Sequence, residues 1–369
     1  MNIAFIGQKG IGMMERGGGI EKHVTEIATR LVKKGHQVTV YARRRYCPTH
    51  PLYQGVRLVC LPTIYRKNLE AILHTLFSTL HALTQPYDVI HFHGVGPATL
   101  AWIPRLCKPR AKVVVTFHSQ DRFHQKWSWI AKTYLHFGEW SAVRFPHACI
   151  TVSHTLQVLL RQTYHTQVIF IPNGAEVHDG IGVASLSKFG LELDKYILNV
   201  GRIVPQKGLH HLIEAYKQLS TNKKLVIVGA PSFSERYFAE LKRLAGSYPG
   251  ILFLGQVVDR PLIELYAHAY VYVQPSESEG LPLTVLEAMS CGTAVLVSDI
   301  PENVEAINNT GFTFANRDVP DLVVQLDKLL HHPQEVTAMG ERGKEMVKRF
   351  FNWDVITDRV EEVYVSLRH

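Results

Sequence analysis

Short runs rich in valine and isoleucine alternate with longer helical patterns along the whole chain, and this alternation restricts the fold more than any other feature. In residues 20–34, for example, apolar side chains recur at the three-to-four spacing of one buried helix face. Such alternation predicts a parallel sheet with helices on both sides, because parallel strands are buried on both faces. The strands predicted in the first half are residues 3–6, 38–41, 56–61, 89–92, 113–117, 149–152 and 168–171.

The same pattern starts again in the second half of the chain. Between the two series, residues 172–195 are rich in Gly, Ser, Asp and Asn and show no periodicity, which is typical of a linker. The later predicted strands are residues 197–200, 225–228, 251–254, 270–273 and 294–297, and the clearest helices are residues 209–219, 283–289 and 322–330.

The length of the chain agrees with two domains. It has 369 residues, whereas single hydrophobic cores stop growing at roughly 250–300 residues. We therefore expect an α/β protein in which two doubly wound domains, residues 1–172 and 196–350, have parallel sheets that face each other across a cleft. Residues 173–195 are the expected linker, and residues 351–369 are expected to form a helix that packs back on the first domain.

Composition predicts a cytoplasmic location. No run approaches the roughly 18 apolar residues of a membrane-spanning helix, and no charged region precedes the first strand pattern, so we expect neither a spanning segment nor a signal peptide. The five cysteines are odd in number and form no C-x-x-C pair, so we expect no disulfide framework, no zinc knuckle and a reducing compartment. They are Cys47, Cys60, Cys107, Cys149 and Cys291.

Charge is divided unevenly between the two halves. Residues 1–170 carry 9 Lys and 12 Arg against 7 acidic residues, a formal charge of +14, whereas the remainder carries 19 basic and 25 acidic residues, a charge of −6. A basic half predicts an anionic partner such as a phosphate-rich acceptor, a membrane face or nucleic acid. No nucleic-acid recognition motif accompanies the charge, so we expect no nucleic acid. The alternative is a solvated basic surface without a partner.

Cations and aromatic rings are mixed at several places in the basic half, as in segments that lie at a membrane surface. These places are residues 43–45, 66–67 and 122–129, with Lys132 and Trp140 beyond them. Roughly 1 kcal/mol per Lys or Arg near an anionic surface suffices for reversible association. We expect peripheral contact with the inner face of the plasma membrane that weakens with salt, and a soluble acceptor is the alternative.

Glycine-rich loops follow the first predicted strand. Neither residues 7–12 nor the Gly17-Gly18-Gly19 run satisfies G-x-G-x-x-G, so the dinucleotide fingerprint fails. A glycine-rich turn into a helix still presents backbone amides to an anion, which predicts phosphate or substrate contact at Gly18 and Gly19. A mobile loop needs glycine as well, and that is the alternative.

Two cations lie five residues apart after the predicted strand 197–200. Arg202 and Lys207 stand in a loop with Gly201 and Gly208, which give the backbone room. A diphosphate needs both charge and geometry, and Arg supplies a planar fork while Lys supplies a point charge. The alternative is a pair of solvated loop cations.

Two acids flank the start of a helix after the predicted strand 270–273. Glu279 precedes the helix, residues 280–283 (Gly-Leu-Pro-Leu) open it, and Glu287 lies two turns inside. Free amides at a helix start bind phosphate, and carboxylates bind sugar hydroxyls. Glu279 has an alternative role as an ordinary acid that stabilises the helix dipole.

Together these motifs resemble the retaining glycosyltransferase family four, which has the GT-B architecture of two Rossmann-like domains. The resemblance covers almost the entire chain and extends to the Gly18-Gly19-Ile20-Glu21 loop and to residues 171–174 at the predicted linker. Glu176 stands where the family more commonly has Asp. The opening of the chain is also similar to a bacterial branch of rhamnosyl and other cell-surface polysaccharide transferases.

The resemblance implies a role for each motif residue. Arg202 and Lys207 would hold the donor diphosphate, Glu279 would grip sugar hydroxyls, and Glu287 would bind the ribose. His118, after the predicted strand 113–117, would reach the sugar, although a satisfied interior histidine is the alternative. The implied catalytic residues are His118, Arg202, Lys207 and Glu279, and the implied substrate-binding residues are Gly18, Gly19, Gly280, Leu281, Pro282, Leu283 and Glu287.

The resulting hypothesis is glycosyl transfer with retention from a nucleoside-diphosphate sugar, with UDP as the expected nucleotide, to a glycan or lipid-linked acceptor. The sequence contains no D-x-D triplet, so we expect no metal and no cofactor. His91 and His93 flank another strand end and could line the acceptor side. The alternatives are a nucleotide-sugar-binding regulatory protein and a GT-B epimerase or phosphorylase.

Overall fold

The computed structural model describes residues 1–12, 17–48, 50–66, 69–119 and 129–368, and for residues 129–132 the backbone alone. The chain forms two compact units. The first unit contains Met1–Asn173 together with the chain from Trp353 onward, and the second contains Gly174–Asn352. The C-terminal helix that the sequence analysis expects to pack on the first domain is therefore part of the first unit.

The first unit contains an eight-stranded sheet in the order β3-β4-β2-β1-β5-β6-β7-β8, in which all pairs are parallel except β3 with β4. The strands are β1 (Asn2–Ile6), β2 (Gln37–Arg43), β3 (Leu52–Tyr53), β4 (Val56–Leu61), β5 (Val89–His93), β6 (Lys112–Phe117), β7 (Ala148–Thr151) and β8 (Ile169–Phe170). The helices are α1 (Gly19–Lys33), α2 (Leu69–Leu83), α3 (Val95–Ala98), α4 (Trp102–Cys107), α5 (Trp129–Arg144), α6 (His154–Tyr164) and, at the C-terminus, α14 (Trp353–Ser366).

The α1 helix illustrates how the apolar pattern becomes structure. Val24, Ile27 and Leu31 are fully buried, as their spacing predicts. The central strands are buried on both faces, since Ile3, Ala4, Phe5 and Ile6 of β1 all lack exposed surface. The predicted parallel sheet of the first half is therefore confirmed, and the short antiparallel β3 is an addition that the sequence pattern does not show.

The second unit contains a six-stranded parallel sheet in the order β11-β10-β9-β12-β13-β14. The strands are β9 (Tyr196–Val200), β10 (Lys224–Val228), β11 (Ile251–Gly255), β12 (Val271–Gln274), β13 (Val295–Ser298) and β14 (Phe312–Phe314). The helices are α7 (Leu209–Tyr216), α8 (Glu235–Ala245), α9 (Asp259–Ala267), α10 (Leu283–Ser290), α11 (Pro301–Ile307), α12 (Val319–His331) and α13 (Pro333–Phe350). Both halves thus have the predicted Rossmann-like, doubly wound arrangement.

Each sheet has one point at which the strand order reverses. In the first sheet this point lies between β1 and β5, and in the second it lies between β9 and β12. Ligands of open parallel sheets bind outside the carboxyl ends of the strands at such reversal points. A ligand site is therefore expected at the loops that follow these four strands.

The predicted linker is not a separate segment, because all of it after Asn173 belongs to the second unit. The Ser185 amide donates to the Glu264 carboxylate of α9 at 2.6 Å, and the Lys344 ammonium of α13 donates to the His178 carbonyl at 2.8 Å. A segment without periodic apolar residues is held here by polar bonds to helices, which a periodicity search does not detect.

A single disulfide, between Cys47 and Cys60, is present where no disulfide framework was expected. Cys60 lies on β4 opposite Ala42 of β2, and Cys47 follows β2 after one short turn, so strand pairing brings the two side chains together. Cysteine spacing along the chain contains no trace of this pairing. Cysteine spacing is therefore no longer an argument for a reducing compartment.

The predicted membrane contacts are described only in part. The segment 122–129 lies outside the described residues except for the backbone of Trp129, and so does Lys67. Among the helices in the described ranges, none combines the length and the apolar character that crossing a bilayer requires.

Candidate active site

The loops after β9 and β12 meet in the second unit. The two strands are neighbours in the sheet, so their carboxyl ends lie side by side. The Glu277 amide, after β12, donates to the Gln206 carbonyl, after β9, at 2.9 Å. The motifs containing Lys207 and Glu279, which the sequence places 72 residues apart, are thereby brought together.

Lys207 and Glu279 form an ion pair at the reversal point of the second sheet. The Lys207 ammonium lies 2.5 Å from the Glu279 carboxylate oxygen Oε1, and both side chains are mostly buried. The Gln274 side-chain amide donates to the same oxygen at 2.7 Å. Gln274 is in turn held by the Tyr272 hydroxyl at 2.5 Å. The sequence analysis assigned no role to Gln274 or Tyr272, although a polar residue at a strand end is a signal for one.

The two loops approach each other closely at Gly208. This residue has a φ of +64°, and a Cβ atom built there would lie 1.9 Å from the Pro275 carbonyl oxygen. Only glycine satisfies both conditions, since other residues rarely adopt this φ and would overlap the oxygen. Gly208 therefore fixes the distance between the Lys207 loop and the Glu279 loop.

The other residues that are predicted to bind the nucleotide sugar near this pair differ in their solvent exposure. Arg202 is exposed, whereas residues 280–283 are buried. Helix α10 begins at Leu283 after Pro282, and no side chain caps it in the part of the chain that the structure describes. Its first amides are therefore available as hydrogen-bond donors.

Glu287 lies inside α10 and has a tyrosine partner. The Tyr266 hydroxyl donates to the Glu287 carboxylate at 2.9 Å. Burial and the neighbouring carboxylate raise the pKa of Tyr266 well above its ordinary value, so this tyrosine stays a donor. The bond fixes the rotamer of Glu287, the residue to which the family resemblance gives the ribose.

A cluster of histidines occupies the corresponding region of the first unit. His93 ends β5 and His118 follows β6, and their nitrogens Nδ1 and Nε2 lie 3.2 Å apart. The ring of His23, from α1, packs edge-on against His118 with the centroids 4.7 Å apart. His91 and His93 also stack, so the histidines that the sequence analysis named separately form one cluster.

These histidines are buried and neutral. Burial lowers the pKa of His23 to about 4, against the opposing effect of its hydrogen bond with Asn173. The pKa values of His91, His93 and His118 lie well below the ordinary value, first because of burial and then because neighbouring histidines repel a charge. Each ring therefore offers one N–H donor and one acceptor nitrogen near neutral pH.

Side chains distant in sequence hold the cluster in place. His91 bonds to the Tyr364 hydroxyl of α14 at 2.6 Å and to the Thr116 hydroxyl at 2.7 Å. His23 bonds to the Asn173 side chain at 2.9 Å. The sequence analysis gave no role to Tyr364, because a tyrosine in a C-terminal helix carries no signal of contact with β5.

The histidine cluster is also one of the groups with metal-ligand atoms close together. Nitrogens of His23, His93 and His118 lie within 4.8 Å of one another, and so do ligand atoms of His210, His211 and Glu277 in the second unit. Neutral imidazoles are the form that binds transition metals. The expectation of no metal stays a prediction.

Backbone amides of the glycine-rich loops after β1 donate hydrogen bonds to a carboxylate of the same chain. The Glu21 carboxylate accepts from the Gly18 amide at 2.7 Å and from the Lys9 amide at 3.0 Å. The Gly18 amide therefore already has an acceptor, whereas Gly19 is exposed at the start of α1. Substrate contact at Gly18 and Gly19 stays a prediction.

Comparison with known proteins is consistent with this arrangement. Residues 17–179 match the family model "Glycosyltransferase Family 4", and residues 187–346 match "Glycosyl transferases group 1". Alpha-maltose-1-phosphate synthase of Mycolicibacterium smegmatis is 29% identical, over 94% of this chain and 95% of the relative. The phosphatidyl-myo-inositol mannosyltransferase of the same organism is 26% identical, over 95% of this chain and 90% of the relative.

Solved structures share the fold at lower identity. Sucrose-phosphate synthase from Thermosynechococcus elongatus superposes with a TM-score of 0.83 at 24% identity, over 100% of this chain and 99% of the other. Anabaena Alr3699/HepE in complex with UDP and glucose superposes with a TM-score of 0.80 at 20% identity, over 99% of this chain and 100% of the other. With one family model on each half and relatives matched over nearly the whole length, the chain is a glycosyltransferase of the GT-B type.

Proposed function

We propose that this glycosyltransferase moves a sugar from a UDP-sugar to a hydroxyl of a lipid-linked or polysaccharide acceptor in cell-envelope glycan synthesis, with retention at the anomeric carbon. The observation that carries the proposal is the Lys207–Glu279 pair at the reversal point of the second sheet. A cation and a carboxylate held side by side match the two parts of a nucleotide sugar, because its diphosphate needs positive charge and its sugar needs hydrogen-bond acceptors. The UDP and UDP-glucose complexes of Alr3699/HepE support the choice of nucleotide.

Lys207 can serve the diphosphate without leaving Glu279. An ammonium has three donors, and the ion pair occupies one of them. Exposed Arg202 adds a guanidinium fork, and the amides at the start of α10 add neutral donors. These groups stabilise the charge that develops on the leaving diphosphate.

Glu279 is proposed to orient the sugar. Both of its described bonds, from Lys207 and from Gln274, go to the oxygen Oε1. In the proposal, Oε2 accepts from a sugar hydroxyl, while the two donors fix the carboxylate plane. Glu287, held by Tyr266, accepts from the ribose in the same way.

The proposed chemistry takes place on one face of the sugar. The bond between the anomeric carbon and the diphosphate oxygen breaks, the acceptor oxygen forms its bond on the same face, and the acceptor proton moves to the departing phosphate. His118, neutral because it is buried, offers a hydrogen bond to the sugar and no charge. Preorganised donors around the leaving group are then the largest contribution to the rate.

The proposal includes independence from metal ions, with Arg202 and Lys207 in the place of a divalent cation. Turnover should be unchanged after dialysis against EDTA, and elemental analysis of the dialysed protein shows whether the histidine cluster retains an ion. Loss of activity that returns with an added divalent ion would overturn this part.

Donor binding is tested most directly by thermal stabilisation. A ligand at 100 times its Kd stabilises the folded state by about 2.7 kcal/mol, so UDP-sugars should raise the Tm by several degrees. Replacing Lys207 by alanine should abolish the rise, whereas replacing exposed Lys188 should not. Product NMR with a simple acceptor then shows the anomeric configuration. An inverted product, or stabilisation that survives in the Lys207 variant, would contradict the proposal.

A further inference from the structure

Helix α2 in the first unit has the opposite burial pattern from that of an ordinary surface helix. Its buried residues are polar or small, whereas large apolar side chains point outward. Leu69, Phe77 and Leu80 retain 42%, 41% and 47% of their surface. A helix on a soluble domain normally turns its apolar stripe to the core. The buried residues are Glu70, His74, Thr75, Ser78, Thr79 and Ala82.

The inward face of α2 forms a buried ion pair with the sheet. The Arg43 guanidinium, at the end of β2, lies 2.9 Å from the Glu70 carboxylate, and both side chains are buried. Two further contacts lie within the helix: Ser78 is 3.4 Å from the His74 ring, and the Thr79 hydroxyl donates to the Thr75 carbonyl at 2.7 Å. Rotating the helix about its axis would bury its leucines but would break the buried ion pair.

The outward face of α2 carries no charge. Its seven large apolar residues fall within an arc of about 140° at 100° per residue. The one acid of the helix, Glu70, is buried and lies outside this arc, beyond its edge at Phe77. These seven residues, exposed or half-buried, are Leu69, Ile72, Leu73, Leu76, Phe77, Leu80 and Leu83.

Helix α4 extends this apolar surface. It packs against α2, and its Trp102 and Leu106 keep 37% and 65% of their surface exposed. The Lys108 ammonium, just after α4, donates to the Leu83 and Gln85 carbonyls at the end of α2 at 3.0 and 2.6 Å. The two helices therefore lie against each other, and we call their exposed apolar residues together the α2–α4 face.

Exposed arginines stand at both ends of the α2–α4 face. Arg44, Arg45 and Arg66 precede α2, and Arg105 and Arg110 lie in and after α4. Between residues 27 and 120 the sequence contains only two acids, buried Glu70 and half-buried Asp88. This face combines an apolar band with cations and has no exposed acid from this part of the sequence. It therefore matches a partner with an apolar interior for the band and an anionic outer layer for the cations.

We infer that the α2–α4 face docks on an anionic lipid bilayer, with α2 lying in the plane of the interface and its leucines inserted among the acyl chains. An interfacial helix of this kind buries its apolar face about 5–10 Å into the headgroup boundary, where flanking cations meet anionic headgroups. The inference rests on the proposed membrane-linked acceptor and names the element that makes the contact. It does not use the segment 122–129.

A second copy of the chain fits this face less well. In a symmetric dimer the same patch lies on both sides, so the arginines of one copy would face those of the other without an exposed acid to pair with. A bilayer with acidic lipids supplies the missing negative charge. Charge complementarity therefore favours the bilayer over self-association.

The test uses the full chain with vesicles of phosphatidylcholine alone or with 30 mol% phosphatidylglycerol, in co-sedimentation at low and high salt. Wild type should bind the anionic vesicles and be released by salt. The variant Phe77→Ser/Leu80→Ser should lower the partition coefficient by roughly 100-fold, since each buried apolar side chain is worth about tenfold or more. The variant Arg44→Gln/Arg45→Gln should lower it for the anionic vesicles only.

A matched control carries the same change on the other unit. Leu193 and Val324 are 50% and 62% exposed in the second unit, so Leu193→Ser/Val324→Ser should bind vesicles as wild type does. Because all of the altered side chains are exposed, UDP-induced thermal stabilisation should be equal in every variant. This measurement separates failure of the docking inference from failure of the proposed donor binding.

Two outcomes would overturn the inference. One is vesicle binding that Phe77→Ser/Leu80→Ser does not weaken. The other is a wild-type dimer in sedimentation velocity that becomes monomeric in this variant while neither protein binds vesicles, which would assign the face to a second copy.

Discussion

The strand ends at the two sheet reversal points have the same topology but opposite electrostatic character. In the second unit they carry an ion pair, Lys207 with Glu279. In the first unit they carry His93, which ends β5 and contacts His118 after the neighbouring strand β6, and burial keeps the pKa values of both histidines well below the ordinary value. The same backbone arrangement thus provides a charged site in one unit and an uncharged, hydrogen-bonding site in the other.

In the proposed reaction, this difference would give each unit a different task. A diphosphate requires fixed positive charge, which Lys207 and Arg202 of the second unit would supply under the proposal. An acceptor hydroxyl and a sugar require donors and acceptors that do not attract counter-ions, which buried neutral imidazoles supply.

The charged site should depend on the close approach at Gly208. Gly208→Ala places a Cβ 1.9 Å from the Pro275 carbonyl, so it should cost about 4 kcal/mol or more in unfolding free energy and abolish UDP stabilisation. Gly190 has the same φ of +64° with open space around it, so Gly190→Ala should cost only about 1–2 kcal/mol. Urea unfolding measures both. Equal costs would show that backbone strain alone matters and that the loops are not fixed by their contact.

The two cations should dominate turnover. Removing one preorganised donor typically costs about 10² to 10³ in rate, so Arg202→Ala and Lys207→Ala should each lower kcat by that factor with the fold intact. Arg236, which is almost fully exposed on α8, provides the control substitution. Initial-rate measurements check the loss of kcat, and circular dichroism checks that the fold is intact. Near-normal turnover in both variants would remove the electrostatic mechanism.

The neutral site should make the first unit sensitive to acid. The pKa of His23 falls from 6.5 to about 4 on folding, so as the pH decreases the unfolded chain binds this proton before the folded protein does. The contribution of neutral His23 to the free energy of unfolding is therefore complete above pH 6.5. It is lost as the pH falls toward 4, by about 3 kcal/mol in total. His23→Gln should flatten the dependence of unfolding free energy on pH in this window. A slope unchanged by His23→Gln would mean that this histidine is not held neutral.

The support from the C-terminal helix should give the smallest effect. Tyr364→Phe removes the hydroxyl 2.6 Å from His91, so the fold should lose about 1–2 kcal/mol while UDP stabilisation of the second unit persists. Tyr248→Phe serves as a control, since that side chain is exposed on the second unit. Thermal unfolding with and without UDP separates the two expectations. Loss of UDP stabilisation in Tyr364→Phe would break the assignment of separate tasks to the two units.

Much of the fold could be predicted from the sequence because parallel strands are short and apolar on both faces. The strand predicted at 225–228 appears as Lys224–Val228, and the helix predicted at 283–289 appears as Leu283–Ser290. Strands β3 and β14 were missed, since two or three residues show no period unless neighbouring apolar residues extend the run, as they do at β8. The disulfide between Cys47 and Cys60 was missed because it depends on strand pairing.

The site was predictable only as a set of separate motifs. Lys207 and Glu279 were each singled out by neighbouring glycines and by their strand-end positions, but the sequence assigned them separate tasks. That they bond to each other, and that Gln274 completes the group, follows from the adjacency of β9 and β12. Adjacency is a property of strand order, which crossovers decide and which local sequence does not encode.

Alone, the sequence determined where chain segments would be buried strands, which loops would carry charge and glycine, and how cations divide between the halves. These are local properties, set by side-chain chemistry and by the geometry of one strand or helix. The tertiary structure decided which of these segments meet. It also decided that α2 turns Glu70 inward, next to Arg43 of β2, and leaves Leu80 exposed, because such partners come from elements that only packing brings together.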